Sequence, residues 1–260
     1  KGIQTPYKSR DEDSERLLLL NGGKNMKRSK INMVIKEMET LIRKHGFEIP
    51  PFCSWTPEDW QTKGHEYDEI RDNMLGWDIT DYGLGRFDEV GFALVTIRNG
   101  NVKDKRYPKP YAEKLLMVNE GQTAPMHFHW NKMEDIINRG GGNVLITVYN
   151  STEDGEFADT DVTVHSDGRT YTVPAGTRVR LAPGESITIQ PYLYHDFHVE
   201  AGTGPVLLGE VSMCNDGGNG CGFYINFPVM LSGVSRISSG VPAATILPPA
   251  SPPPGPMSMT

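Results

Sequence analysis

Residues 121–142, GQTAPMHFHWNKMEDIINRGGG, place two histidines one residue apart and a glutamate shortly after them. Side chains on a β-strand alternate between its two faces, so a strand directs His127 and His129 to the same side. A short turn around residues 131–132 then brings Glu134 onto the neighbouring strand. The segment therefore predicts a hairpin on which two imidazoles and a carboxylate converge, and these groups are typical ligands of a divalent metal.

A second segment supplies a further imidazole. Residues 183–199, PGESITIQPYLYHDFHV, place His195 eleven residues after Gly184. The two segments have the spacings G-x5-H-x-H-x4-E-x6-G and G-x10-H, which resemble the motif pair of the cupins. The alternative is a set of surface histidines on a hairpin, but His-x-His with a spaced glutamate is rarely accidental. The candidate metal ligands are His127, His129, Glu134 and His195.

Three imidazoles and one carboxylate suit several divalent metals. Zinc, manganese, iron, cobalt and nickel all accept nitrogen and oxygen ligands, and the ligand types alone do not choose among them. An ion held in this way keeps one or two coordination positions open. It can then act as a Lewis acid and as a template for a substrate.

Short alternating runs begin at about residue 84. They include FALVTIRN, KLLMVNEG, NVLITVYN, DVTVHSD, RVRLAPG, SITIQP and PVLLGEVS, with Gly, Pro, Asn and Asp between them. Such runs are typical of an antiparallel sandwich or barrel. The sequence therefore predicts a mainly β fold, a cupin-type antiparallel β-barrel (jelly roll) over residues 84–232 that carries the metal site.

The preceding segment, residues 26–83, predicts helices packed outside the barrel. Apolar residues at helical spacing predict a helix over 29–45, with Ser29 capping its start and Gly46 ending it. The run TPEDW at residues 56–60 has the residue types of a second capped helix start.

Both ends of the chain differ from the rest. Residues 1–25 are polar and mixed in charge, and we expect this leader to be poorly ordered. Residues 233–260 are rich in proline, and we expect an unstructured tail.

Composition excludes several classes of function. The net charge of -7 provides no basic surface for nucleic acid. No apolar run is long enough to span a membrane. The 3 cysteines include no C-x-x-C pair, which favours reduced thiols and a cytoplasmic protein.

Two further charged residues are candidates for a functional role. Glu210 lies in VLLGEVS in phase with Leu208, so we expect it on the inner face, where a carboxylate needs a partner. The metal or a substrate hydroxyl is the expected partner. Lys132 lies in the turn between the metal ligands, where it either projects over the metal or is an ordinary solvated lysine. The histidines assigned to the surface are His45, His65, His165 and His198.

Segments over about residues 26–216 resemble the D-lyxose isomerases, cupin enzymes that interconvert D-lyxose and D-xylulose. Besides PMHFHWNKMEDIINRGGGN, they include MKRSKIN, HGFEIPPFCSWTPEDW, EKLLMVNEGQTAPMHFHW, YNSTEDGEFADTDVTV and GEVSMCND, in the family's order. The resemblance implies manganese as the ion, with zinc, iron and cobalt as alternatives. It also implies a homodimer and a sugar substrate, D-lyxose/D-xylulose or D-mannose/D-fructose.

The resemblance further implies an aldose–ketose isomerisation. The metal would chelate the C1 and C2 oxygens of the open-chain sugar, and a carboxylate would shuttle a proton through an enediol. Glu210 is the candidate base, and Lys132 is the candidate that contacts and polarises a sugar oxygen. A metal-assisted hydride shift needs the same chelation and stays open as an alternative.

The chain departs from the family pattern after residue 216. Asn226 stands where an arginine is expected, and Gly217 stands where an acidic residue is expected. Two other functions stay open. One is a cupin dioxygenase that uses iron with the same four ligands, and the other is a non-catalytic sugar-binding cupin, which the altered region favours.

Overall fold

A computed structural model describes residues 26–214 and 221–223 of the chain. The α-helices in this part are α1 (Arg28–Lys44), α2 (Pro57–Gln61) and α3 (Asp68–Asp72), with 3-10 turns at Pro51–Ser54 and His65–Tyr67. The predicted leader, residues 1–25, and the predicted tail, residues 233–260, lie outside the described residues.

The strands follow the helices without interruption by a further helix in the described part. They are β1 (Gly76–Thr80), β2 (Phe92–Arg98), β3 (Tyr111–Val118), β4 (Thr123–His129), β5 (Glu134–Gly141), β6 (Val144–Ser151), β7 (Phe157–Ala158), β8 (Val162–Ser166), β9 (Arg169–Val173), β10 (Thr177–Leu181), β11 (Ser186–Ile189), β12 (Leu193–Val199), β13 (Val206–Met213) and β14 (Cys221–Phe223). The strand β1 precedes residue 84, so the sheet starts inside the segment that the sequence assigned to helices.

Two antiparallel sheets face each other. The first has the strand order β1-β2-β3-β13-β5-β11-β8-β9, and the second has the order β10-β6-β12-β4-β14 with β7 beside β6. Strands distant in sequence become neighbours, as where β13 lies between β3 and β5. The predicted mainly β, antiparallel barrel is confirmed.

Apolar side chains from both sheets fill the space between them. The alternating positions of β5, β6 and β13 supply Ile136, Ile146, Val148 and Leu208, which are buried in one cluster. Burying each such side chain contributes about 1.5–3 kcal/mol to folding. Packing in this interior fixes the distance between the two sheets, and the polar side chains described below lie in the same space between the sheets.

The helix α1 covers the outer face of the first sheet. Its buried face consists of Ile31, Val34, Met38, Leu41 and Ile42. These side chains form one cluster with outward-facing residues of the sheet, including Trp77, Ala93, Leu115, Met117 and Leu207. The prediction that the N-terminal helix packs outside the barrel is therefore confirmed.

The two predicted helix starts have different outcomes. The prediction for Ser29 is wrong, because α1 begins at Arg28 and its N-cap residue, Lys27, makes no side-chain cap. Thr56 and Asp59 do form the predicted capping box, in which the Asp59 carboxylate accepts from the Thr56 amide at 2.8 Å. Gly46 has φ +76° directly after α1, as predicted for a helix end.

His45, which the sequence assigned to the surface, contacts the barrel instead. A Cβ built on Gly140 would lie 2.3 Å from His45 Nδ1, so the imidazole packs directly on that glycine of β5. The Nε2 atom of His45 is buried and has no hydrogen-bond partner within the described part of the chain. His45 therefore fixes the end of α1 against the first sheet.

The described cysteines are free and buried. Cys53 and Cys214 form no disulfide. Burial, with a smaller contribution from Glu39, raises the pKa of the Cys53 thiol to about 12. In the part of the chain that the structure covers, no helix combines the length and apolarity that crossing a bilayer requires.

Gly140→Ala is expected to destabilise the fold by more than about 2 kcal/mol. Gly140 has φ +147°, which L side chains rarely adopt, and the new methyl group meets the His45 ring. Urea unfolding of Gly140→Ala, His45→Ala and the double variant separates the two causes, since removal of the ring relieves only the collision. A Gly140→Ala variant as stable as wild type would contradict this account.

Candidate active site

Three buried imidazoles meet inside the barrel. His127 and His129 lie on β4, and His195 lies opposite His127 on the adjacent β12. One ring nitrogen from each lies within 4.8 Å of the others. The strands β4 and β12 pair within the second sheet, whereas β5, which begins at Glu134, belongs to the first sheet. The predicted hairpin between the His-x-His strand and the strand of Glu134 is therefore wrong, because the chain crosses from one sheet to the other after His129.

Backbone carbonyls set the orientation of two of these rings. His127 Nδ1 lies 2.8 Å from the carbonyl oxygen of Pro125, and His195 Nδ1 lies 3.0 Å from that of Leu193. A carbonyl only accepts, so we infer that each Nδ1 carries the proton and donates. In a neutral ring, Nε2 is then left with its lone pair directed at the centre of the cluster.

The electrostatic environment favours the neutral form of His127 and His129. Burial, together with the neighbouring His195 and His129, lowers the pKa of His127 well below its usual value. Burial also lowers the pKa of His129, against the opposing effect of Glu134. Neutral imidazole is the form that binds a metal ion.

Glu134, the first residue of β5, reaches into the same cluster. Its Oε1 atom lies 3.4 Å from His129 Nε2 and 3.1 Å from His195 Nε2. Burial alone would raise the pKa of Glu134, but the Lys132 ammonium and His129 hold it well below its usual value. The carboxylate is therefore ionised.

The contact between His195 and Glu134 indicates the chemistry of the site. Among the described residues, the buried His195 Nε2 makes no aligned hydrogen bond, although Glu134 Oε1 lies 3.1 Å away. With the proton on Nδ1, both facing atoms are acceptors, and two facing lone pairs at this distance need a cation between them. Three imidazole nitrogens and one carboxylate oxygen therefore fit a divalent metal.

A buried network of charges adjoins this cluster. Lys114 Nζ donates to Glu210 Oε1 at 2.6 Å, and Lys132 Nζ donates to the same oxygen at 3.1 Å. Lys132 Nζ also lies 2.5 Å from Glu134 Oε2. Lys132 thus joins the carboxylate beside the imidazoles to the carboxylate of Glu210.

The pKa shifts in this network follow from burial and from the opposite charges. Burial would raise the pKa of Glu210, but Lys114 and Lys132 lower it below its usual value. Burial would lower the pKa of Lys132, but Glu134 and Glu210 raise it above its usual value. For Lys114, burial outweighs the attraction of Glu210, and its pKa is lowered.

Lys114 was missing from the sequence-based set of site residues. Glu210 is buried on the inner face as predicted, but two lysines are its partners, where the metal or a substrate hydroxyl was expected. The signal for Lys114 was its phase in the run EKLLMV, where it alternates inward with Leu116. Only the pairing of β3 with β13 places it directly opposite Glu210.

Two other polar residues of the barrel, Asn138 and His198, make hydrogen bonds outside the charged network. Asn138 Nδ2 donates to the carbonyl oxygens of Gly142 and Leu181, each at 2.9 Å, and so ties strand ends together. His198 is partly exposed and lies 2.9 Å from Asp196 on the same strand. Gly217 and Asn226, where the chain departs from the family pattern, lie outside the described residues.

Comparison with known proteins identifies the family. The D-lyxose isomerase family model matches residues 26–231. The chain belongs to the D-lyxose isomerase family. It is accordingly an aldose–ketose isomerase.

Two curated relatives agree with this assignment. The D-lyxose/D-mannose isomerase of Escherichia coli O157:H7 is 46% identical over 192 residues, which cover 74% of this chain and 85% of that protein. The protein of the same name from Serratia proteamaculans is 46% identical over 196 residues, which cover 75% of this chain and 86% of that protein.

Solved structures of more distant proteins share the fold. The L-ribose isomerase of Acinetobacter sp. DL28, in complex with L-ribose, has a TM-score of 0.51 at 15% identity and covers 79% of this chain and 89% of that one. The L-ribose isomerase of Cellulomonas parahominis has a TM-score of 0.50 at 16% identity, covering 78% and 94%.

Lys114→Met is expected to reduce the free energy of unfolding by about 3 kcal/mol, because the buried Glu210 carboxylate loses one of its two cations. Lys109→Met is the matched control, since the Lys109–Glu69 pair is about one-third exposed and should contribute under about 1 kcal/mol. Urea unfolding measures both. Equal losses in the two variants would contradict the importance of the buried pair.

Proposed function

We propose that the chain interconverts D-lyxose and D-xylulose with a bound divalent metal. The observation that carries the proposal is the juxtaposition of a metal-type ligand cluster with Glu210, a buried carboxylate held between two lysines. The names of both curated relatives support a sugar of this class. An isomerase of this kind needs a Lewis acid and a proton carrier, and the two features supply candidates for both.

His127, His129, Glu134 and His195 would hold the ion. When bound, a manganese ion would supply Lewis-acid chemistry that polarises the sugar carbonyl. Manganese is the expected ion, with zinc, iron and cobalt as alternatives, because the same nitrogen and oxygen donors accept each of them. The four side chains are buried, which removes them from bulk water.

Glu210 is the proposed base. Its carboxylate would take the proton from C2 of the open-chain aldose and return it to C1. The proton of the C2 hydroxyl would move to the C1 oxygen in the same conversion, so that the aldose becomes the ketose through an enediol. Lys114 and Lys132 keep Glu210 ionised and therefore ready to accept that proton. Deuterium bound to C1 of the product formed in D2O would show proton transfer through an exchanging base, since a hydride shift introduces no solvent deuterium at carbon.

Lys132 is the proposed contact to a sugar oxygen. Its ammonium lies between Glu134 and Glu210. A sugar that contacts both the ligand cluster and Glu210 would therefore also contact Lys132. An ammonium donates hydrogen bonds and can stabilise the negative charge that develops on an enediol oxygen. The fixed position between two carboxylates supports this role over that of a solvated loop lysine.

D-mannose/D-fructose is the second expected sugar pair. D-lyxose and D-mannose share the configuration at C2 and C3, the part of the sugar nearest the reacting bond, and differ by one further carbon. The combined name of the curated relatives agrees with acceptance of both sugars. The homodimer expected from the resemblance stays a prediction.

The proposal predicts that manganese-loaded protein converts D-lyxose to D-xylulose under anaerobic conditions. Proton transfer and Lewis-acid chemistry need no oxygen, whereas a cupin dioxygenase would turn over only with iron and oxygen. Chromatographic measurement of the ketose tests this, with a protein-free manganese blank as control. No ketose above the blank, with the metal shown to be bound, would leave a sugar-binding cupin as the better description.

Glu210→Gln and His195→Ala should separate the base from the ligands. We expect Glu210→Gln to retain the metal and lose at least about 100-fold in kcat, since general base catalysis contributes about 10²–10⁴-fold. His195→Ala should lose most of its metal as well as its turnover. Metal analysis and kinetics measure both, with Glu200→Gln, an exposed glutamate that pairs with Arg180, as control.

Two results would contradict this division of roles. Undiminished turnover in Glu210→Gln would exclude Glu210 as the base. Full metal occupancy in His195→Ala would exclude His195 as a ligand.

A further inference from the structure

Ser212 presents a buried hydroxyl beside the charged network. It follows Glu210 by two residues on β13, so its side chain lies on the same inner face, while Val211 and Met213 between and after them are exposed. Ser212 is 6% exposed. Its Oγ atom is buried and has no hydrogen-bond partner among the residues that the structure describes.

The sheet register places this hydroxyl in the wall of the site. Ser212 lies opposite Glu134 on β5 and opposite Ala112 on β3. The next inward row along the same strands contains Glu210 with Lys114 on one side. Directly opposed residues on one face of a sheet have Cβ atoms about 4.5–5.5 Å apart, so Ser212 lies beside the proposed ligand Glu134 across the sheet. Along β13 it is the next residue on the inner face after the proposed base Glu210.

An unpaired hydroxyl in this position destabilises the folded protein unless a ligand forms a hydrogen bond with it. Burying a hydroxyl without a hydrogen bond destabilises the folded protein, and most buried hydroxyls are accordingly paired. Ser166 illustrates the usual case in this protein, because its hydroxyl donates to the carbonyl oxygen of Ser186 at 2.7 Å. The residue opposite Ser212 on β3, Ala112, has no polar side-chain atom that could pair with this hydroxyl.

We propose that the Ser212 hydroxyl binds a hydroxyl group of the sugar substrate. The inference rests on the proposed function and adds a substrate-binding residue to the ligands, the base and Lys132. A sugar hydroxyl both donates and accepts, which matches a serine hydroxyl. Support of Glu134 is the competing role, but the two oxygens of that carboxylate already lie beside His129, His195 and Lys132.

Ser212→Ala, loaded with manganese, tests the proposal. We expect KM and the Kd for D-lyxose to rise about 3- to 10-fold, as for one lost hydrogen bond, with kcat changed less than about 2-fold. Metal content should stay at the wild-type value. Thermal stability without sugar should be equal to or higher than that of wild type, because the free protein loses no hydrogen bond and no longer buries an unpaired hydroxyl. Kinetics, titration calorimetry, metal analysis and thermal unfolding measure these quantities.

Ser151→Ala is the matched control. The Ser151 hydroxyl is also buried without a hydrogen-bond partner in the described ranges, but it lies at the end of β6 beside Phe157 of β7, outside the row that faces Glu134. This variant should leave KM and Kd unchanged. If Ser212→Ala fails to fold, Ser212→Cys retains the side-chain volume with a weaker hydrogen-bonding group and should show the same rise.

The outcomes distinguish this inference from the proposed function. Binding of D-lyxose to the wild-type protein without turnover would contradict the proposed isomerisation. In that case a higher Kd for D-lyxose in Ser212→Ala would still support the contact between Ser212 and the sugar. Equal Kd values in wild type and Ser212→Ala would overturn the inference even if turnover is normal. Loss of metal from Ser212→Ala would show that the hydroxyl supports Glu134 and would overturn the inference. The absence of D-lyxose binding to the wild-type protein would overturn it as well.

Discussion

The site depends on a set of four buried charges that balance one another. Glu134 and Glu210 are acidic, Lys114 and Lys132 are basic, and all four are largely removed from solvent. Desolvating any one of them alone would cost several kcal/mol, so the fold can bury them only as a connected group. Their formal charges sum to zero, which explains how a polar site fits inside an apolar barrel.

The order of the strands assembles this group. Lys114 comes from β3, Glu210 from β13 and Glu134 from β5, and β13 lies between the other two strands. Lys132 comes from the turn that precedes β5. The imidazoles come from the second sheet, so the site forms only where the two sheets close on each other. Apolar packing between the sheets therefore also sets the distances between the ligands and the base.

Local patterns in the sequence predicted the residues whose positions depend on periodicity or spacing. The strand period placed His127 and His129 on one face, and the phase with Leu208 placed Glu210 inside. The pairing of Lys114 with Glu210 could not be predicted in this way, because Glu210 lies 96 residues away and only strand pairing brings the two residues together. The prediction that His45 lies on the surface was wrong for the same reason, because Gly140, the residue it contacts, is distant in sequence.

Lys132 is both the proposed contact to the sugar and a hydrogen-bond partner of Glu210, so contact with the sugar would change the pKa of the proposed base. Its ammonium and that of Lys114 together lower the pKa of Glu210, which keeps the carboxylate ionised but makes it a weak base. Any sugar oxygen that draws Lys132 away from Glu210 removes part of that stabilisation. The pKa of Glu210 then rises, and the carboxylate accepts a proton from carbon more readily. In this arrangement the proposed base would become stronger when the substrate is in place, while the two lysines keep it ionised and hydrogen-bonded without substrate.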